Sequence, residues 1–171
     1  MTSISKTAPF LTVIENHKGI IYKVANAYCK LEADRKDLVQ EIILQLWKSF
    51  DKYNDQFKYS TWIYRISLNV AISFFRKEST RKNISNPLSD QIFNIAHLQE
   101  NKQKEAGFEM LYQFISTLQD LDKALILLYL EEKSHKEIAE ILGISETNVS
   151  TKVGRIKSRL KQHFSDRKSV V

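Results

Sequence analysis

Hydrophobic positions recur every three to four residues along this chain in separate blocks, and each block reads as one helix. Two such blocks span residues 10–30 and 35–53, and a third runs from Ser60 to about Lys77 behind an aromatic cluster. From Glu78 to Glu105 the periodicity stops. ESTRKNISNPLSDQIFNIAHLQENKQKE puts Ser, Asn, Gln and a Pro in its place, which predicts a solvated linker with room for one short helical turn around Ile92 to Leu98. Helical spacing resumes at Phe108 with FEMLYQFISTL, continues through KALILLYL at 123–130, and closes with ILGISETNVS at 141–150. There Gly143 is placed to end one helix, a single Ile144 follows, and Ser145 is placed to cap the next. So short a break makes two helices meet at a steep angle.

The second of these helices shows two unlike faces. The first, from Ser134 to Leu142, turns Ile138, Ala139 and Leu142 toward its partner, with Ser134 and Glu137 at capping-box spacing. In the second, from Ser145 to Leu160, Val149, Val153, Ile156 and Leu160 fall within about 60° of one another and form a buried stripe. Thr147, Thr151, Gly154, Arg155 and Ser158 occupy the opposite face, flanked by Lys152 and Arg159 on one side and by Lys157 and Lys161 on the other. Short side chains and a Gly allow close approach to base edges in a major groove, and flanking cations meet the phosphate walls. This is the pattern of a helix-turn-helix with its recognition helix at Ser145 to Leu160. A hairpin with a merely solvated charged face is the plainer reading. It leaves unexplained why a small residue, a turn Gly and core contacts fall at Ala139, Gly143, Ile144 and Val149.

Composition fits long helices joined by few loops, for the 171 residues include only two Pro and four Gly. The length allows two small helical domains. The predicted class is therefore all-α, with residues 1–78 and 107–171 as domains and 79–106 as a flexible linker. No signal-type start or long apolar run is present, which predicts a soluble, cytoplasmic chain. The single Cys29 lies among apolar residues and is expected to be a buried structural thiol. The net charge of +6 is unevenly spread. Residues 145–171 carry seven Lys or Arg against two acids, while 106–144 carry three against seven. Only part of the chain is therefore expected to face a polyanion.

Two stretches of the N-terminal half carry further candidate surfaces. In DRKDLVQEIILQLWKSF, residues 34–50, the wheel places Val39, Ile42, Ile43, Leu46 and Phe50 toward the core. Asp37, Gln40, Glu41 and Leu44 fall on the far side. An acidic and amide face centred on an apolar residue resembles a protein interface, although a lone surface Leu accounts for the same pattern. In DQFKYSTWIYRISLNVAISFFRK, residues 55–77, Phe57, Tyr59, Trp62 and Tyr64 interleave with Lys58 and Arg65. Rings stack on unpaired bases while cations follow the backbone, so the segment suits single-stranded nucleic acid; Trp62, Ile63, Ile66 and Val70 also suit a core.

Taken with the helix-turn-helix, these segments resemble the bacterial RNA polymerase sigma factors of the extracytoplasmic-function group, which keep only regions two and four. DLVQEIILQLWKSF resembles the region-two motif that binds the polymerase clamp helices. FKYSTWIYRISLNVAISFFRK resembles the segment that melts the promoter and reads the minus-ten element, and SHKEIAEILGISETNVSTKVGRIKSRL resembles the region-four reader of the minus-thirty-five element. The resemblance implies that Asp37, Gln40, Glu41 and Leu44 hold core RNA polymerase. It assigns Phe57, Lys58, Trp62, Arg65, Asn69 and Ser73 to the melted minus-ten strand, with Asn69 to Ser73 bordering a pocket for a flipped base. Thr147, Ser150, Thr151, Lys152, Arg155, Lys157, Ser158 and Arg159 are assigned to minus-thirty-five DNA. Many members carry Arg where this chain has Ser150, so its promoter sequence is not to be borrowed from better-known relatives.

The partners so implied are core RNA polymerase, promoter DNA as duplex and melted strand, and an anti-sigma factor. No cofactor or metal is expected: His135 and His163 have no companion ligands at metal spacing, and no nucleophile, paired acid or phosphate loop suggests an enzyme. A stand-alone helix-turn-helix regulator is the alternative. It would need a dimerisation helix that the linker does not offer, and copurification with core polymerase separates the two. A purely helical adaptor would lack salt-dependent affinity for duplex DNA.

Overall fold

The computed structural model describes residues 3–82 and 106–169, and these form seven α-helices with no strand among them. Helix α1 spans Ser3–Tyr28, α2 Glu32–Ser49 and α3 Tyr59–Lys82, with a short 3-10 turn at Phe50–Lys52. After residue 105 follow α4 (Ala106–Thr117), α5 (Asp120–Leu130), α6 (His135–Leu142) and α7 (Glu146–Lys168). Two compact units result, one built on the first 78 residues and the other carried mainly by the helices from Ala106 onward. The short helical turn expected around Ile92 to Leu98 lies outside the described residues.

In the first unit the link at 29–31 reverses the chain, so that α2 packs back along α1. Phe10 near the start of α1 meets Trp47 and Phe50 near the end of α2, with ring centroids 5.1 and 5.3 Å apart. Each helix contributes one buried line: Val13, Ile21 and Val24 from α1, Leu38, Ile42 and Leu46 from α2, and Ile63, Leu68 and Ala71 from α3. A fully buried Leu or Ile contributes about 1.5–3 kcal/mol relative to exposure. Cys29 is buried, as expected.

Three details differ from the sequence pattern. Helix α1 begins well before residue 10 and contains Pro9. A Pro inside a helix removes a backbone bond, but here Phe10 packs directly after it and Lys6, one turn before, reaches Asp51 at 2.8 Å and lies 4.6 Å from the Trp47 ring centre. In α2 the core line centres on Leu38, Ile42 and Leu46, while Val39, Ile43 and Phe50 are only half-buried. The helix is thus rolled by about 55° from the expected face. Helix α3 continues past the change in composition at Glu78, to Lys82.

The second unit closes around Leu125 and Leu128 of α5, Ile138 of α6 and Val149, Val153 and Ile156 of α7. Leu142 is half-buried and Ile141 is buried. Helix α7 runs eight residues past the Leu160 end expected from periodicity. Its seam goes on because His163 continues the stripe and packs against Phe114 of α4, with ring centroids 5.7 Å apart. His163, expected at the surface or beside phosphate, is therefore a half-buried packing residue whose Nε2 is enclosed without a hydrogen-bond partner among the described residues. Arg167 and Lys168 in the last turn oppose the negative end of the helix dipole.

Candidate functional site

The turn between α6 and α7 is built by short-range chemistry. Ser134 Oγ accepts from the Glu137 N–H at 3.1 Å while Glu137 Oε2 accepts from the Ser134 N–H at 2.9 Å, so the capping box is complete. Gly143 takes φ +70°, and the Ile144 N–H donates back to the Ala139 carbonyl at 3.2 Å, which closes α6. Ser145 Oγ accepts from the Asn148 N–H at 3.1 Å and starts α7. With Val149, Val153 and Ile156 buried, the roll of α7 is set by its apolar stripe.

The opposite face is open. Thr147, Ser150, Thr151, Gly154, Arg155, Ser158 and Arg159 are exposed. A Cβ at Gly154 would meet nothing within 4 Å, so its smallness relieves no crowding inside the unit and leaves room only outside it. Thr151 Oγ1 donates to the Thr147 carbonyl at 3.0 Å, which fixes its rotamer against its own helix. The cations differ in freedom. Lys152 reaches Asp122 of α5 at 3.4 Å and is largely covered. Lys157 lies 4.7 Å from the Tyr129 ring centre and Arg159 lies 6.0 Å from that of Phe114, whereas Arg155 makes no ion pair or ring contact among the described residues.

On α2, Asp37 and Gln40 are exposed and Leu44 is 43% exposed, all on the side away from Leu38, Ile42 and Leu46. Glu41 is half-buried and accepts a hydrogen bond from Gln45 Nε2 at 2.9 Å. Gln45 thus orients an acid of this face, a part that the wheel did not mark because Gln is unremarkable on any helix surface.

The aromatic segment divides between core and surface. Tyr64, which interleaves with the other rings in sequence, points inward and is buried. Trp62 is half-buried and meets Tyr53, Phe50 and Tyr59 at centroid distances of 5.3, 6.2 and 6.4 Å. Phe57 receives the Arg65 guanidinium 5.5 Å from its ring centre, and Lys58 is exposed beside it. Asn69 and Ser73 are exposed one turn apart, further along α3. Tyr53, in the loop before α3, stacks on Tyr59 at 4.2 Å with 18° between the planes. Burial pushes its phenol above the ordinary tyrosine value, with Tyr59 and Asp55 adding to the effect. Sequence reasoning passed over Tyr53 because it precedes the cation-bearing run. No cluster of three or more potential metal ligands occurs among the described residues.

Comparison with known proteins gives this geometry a context. Residues 13–81 match the family model of Sigma-70 region 2, and residues 108–160 match that of Sigma-70, region 4. The chain is 30% identical over 154 residues to the ECF RNA polymerase sigma factor SigM of Bacillus subtilis (strain 168), covering 90% of this chain and 93% of that one. The solved structure of CnrH in complex with the cytosolic domain of CnrY shares the fold, with a TM-score of 0.65 at 18% identity over 92% of this chain and 88% of that one. So does the sigma factor RpoE in complex with the anti-sigma factor NepR from Bartonella quintana, with a TM-score of 0.63 at 18% identity over 92% of this chain and 94% of that one.

Proposed function

The chain belongs to the RNA polymerase sigma factors of the extracytoplasmic-function group, which direct polymerase to promoters, and from that premise we propose how its surfaces divide the work. Residues 1–78 act as region two. There Asp37, Gln40, Glu41 and Leu44 on α2 dock on core RNA polymerase, an apolar centre in a polar rim. Phe57, Lys58, Trp62, Arg65, Asn69 and Ser73 receive the minus-ten strand as it opens. Residues 107–171 act as region four, joined to region two through 79–106, and α7 lies in the major groove of the minus-thirty-five element. Thr147, Ser150, Thr151, Arg155 and Ser158 face bases, while Lys157 and Arg159 face phosphate. Lys152, drawn toward Asp122, holds the reading helix to α5 and lends the groove only part of its charge.

The observation that carries this reading is the outward face of α7. Its buried stripe fixes the roll, and what that roll exposes is a strip of small polar groups, an open Gly154 and an exposed Arg155 with no ion pair or ring contact among the described residues. No residue of the chain is assigned chemistry; the polymerase makes and breaks the bonds. The working place is the cytoplasm, where the polymerase is, and no helix among the described residues is long and apolar enough to cross a membrane. An anti-sigma factor is a further partner, by analogy with NepR on RpoE.

The test starts with polymerase. Reversing Asp37 and Glu41 to Lys is expected to abolish copurification with core enzyme while circular dichroism stays unchanged, since neither side chain lies on the buried line of α2. A folded double mutant that still copurifies would refute the docking face. Mapping transcript starts after overexpression then identifies the promoter.

A further inference from the structure

Tyr53 stands where the 3-10 turn Phe50–Lys52 passes into the loop that leads to α3. Its backbone N–H donates to the Phe50 carbonyl at 3.2 Å, which anchors it to the turn. Its phenol Oη donates to the Phe57 carbonyl at 2.6 Å and so closes the loop between them. The ring stacks on Tyr59 in the first turn of α3 and lies 5.3 Å from Trp62. Phe57, whose carbonyl is held in this way, in turn carries the Arg65 guanidinium over its ring. One half-buried side chain therefore ties the loop to both ends of the aromatic surface, while Asn54, Asp55 and Gln56 within the loop remain exposed.

Such a device has a physical use where a single strand must be received. A loop that is ordered only when the strand arrives adds its ordering cost to the opening step, whereas one held beforehand does not. Resting on the reading that the Phe57 to Trp62 surface receives the opened strand, we propose that Tyr53 is its positioning residue. It fixes the Phe57 carbonyl and stacks on Tyr59, and thereby holds Phe57, Lys58 and Trp62 in the receiving arrangement without touching DNA. Burial favours the protonated phenol, the form that donates to the Phe57 carbonyl.

The experiment uses holoenzyme assembled from the full chain and core polymerase. Its template is the mapped promoter with 2-aminopurine in the non-template strand of the minus-ten element, and strand opening is followed by stopped-flow fluorescence. Tyr53→Phe keeps the ring stack and removes the hydrogen bond. It is expected to bind core and the closed promoter normally yet to open the promoter about fivefold more slowly, the scale of one neutral hydrogen bond. Tyr53→Leu, which loses the stack as well, should be slower still. Lys58→Ala and Trp62→Ala report on the underlying reading, and Lys58 is exposed enough that its loss does not threaten folding. Normal opening by Tyr53→Phe alongside slow opening by Lys58→Ala and Trp62→Ala would overturn the inference alone. Normal opening by all the variants would overturn the reading beneath it. A Tyr53→Phe protein with a lowered melting temperature and matching losses in core binding, promoter binding and opening would mean a purely structural role.

Discussion

On the proposed reading of α7, Arg155 and Lys157 leave the helix at angles suited to two different kinds of contact with a duplex. Arg155 is exposed beside Thr151 and Gly154 and has no ion-pair or ring contact among the described residues, so its planar fork is available for a base edge. Lys157 is also exposed, but its amine lies over Tyr129 on the flank. A bidentate Arg contact to guanine discriminates by about 1–3 kcal/mol, whereas a phosphate contact strengthens binding to every sequence alike. Arg155→Ala is therefore expected to weaken holoenzyme binding to the intact promoter far more than to one with a scrambled minus-thirty-five element. Lys157→Ala should weaken both equally and reduce the slope of log affinity against log salt by about one. A salt series on the two promoters checks both. Equal loss of discrimination from the two variants would mean that α7 sits at another roll angle.

At the scale of elements, two helix ends make the same turn with opposite residues. Gly143 ends α6 at φ +70° and Glu132 ends α5 at φ +58°. The Lys133 N–H donates to the Leu128 carbonyl at 3.1 Å, so the second end is closed just as the Ile144 bond closes the first. At Gly143 a Cβ would meet nothing within 4 Å, so the cost of Gly143→Ala is conformational alone, about 1 kcal/mol. Glu132 bears that strain already and places a negative charge at the negative end of a helix. Glu132→Gly is accordingly expected to stabilise the protein by about 0.5 kcal/mol, after allowance for the freer unfolded chain. Urea unfolding of the two variants should shift in opposite directions. A stabilising Gly143→Ala would show that the helix-turn-helix does not depend on this conformation.

At the scale of the whole molecule, the positive charge of residues 145–171 and the last seam of the second unit share the same turns of α7. His163 packs on Phe114 in a stretch that also carries Lys161, Arg167 and Lys168. Ending the chain at Lys161 should therefore remove a phosphate-side charge reserve and a packing contact together. The expected results are a loss of about 2 kcal/mol in unfolding free energy, from the apolar burial that His163 and Phe164 contribute and the part of Phe114 that His163 covers, and weaker binding to any duplex with little change in sequence preference. Unchanged stability in a urea titration would show that α7 needs nothing beyond the family match at residue 160.

What the sequence by itself determined is whatever repeats or closes within a few residues. The blocks of three-to-four periodicity located the helices, Ser134 with Glu137 and Gly143 with Ser145 specified the helix-turn-helix, and the spacing of Val149, Val153, Ile156 and Leu160 settled which face of α7 turns outward. These signals are local, because capping bonds and helical faces join residues three or four apart. Only the tertiary structure decided what joins distant residues. It rolled α2 onto Leu38, turned Tyr64 inward, kept Pro9 inside α1 between Lys6 and Phe10, both of which are held by the end of α2 and the turn after it, drew Lys152 to Asp122 across 30 positions, and carried α7 on to pack His163 against Phe114. The reason is the same in each case: a side chain's partner is set by which helix lies beside it, and periodicity within one helix carries no information about its neighbour. Tyr53 shows both limits at once, for its bond to Phe57 is only four residues long, yet its place beside Trp62 exists only after α3 has packed.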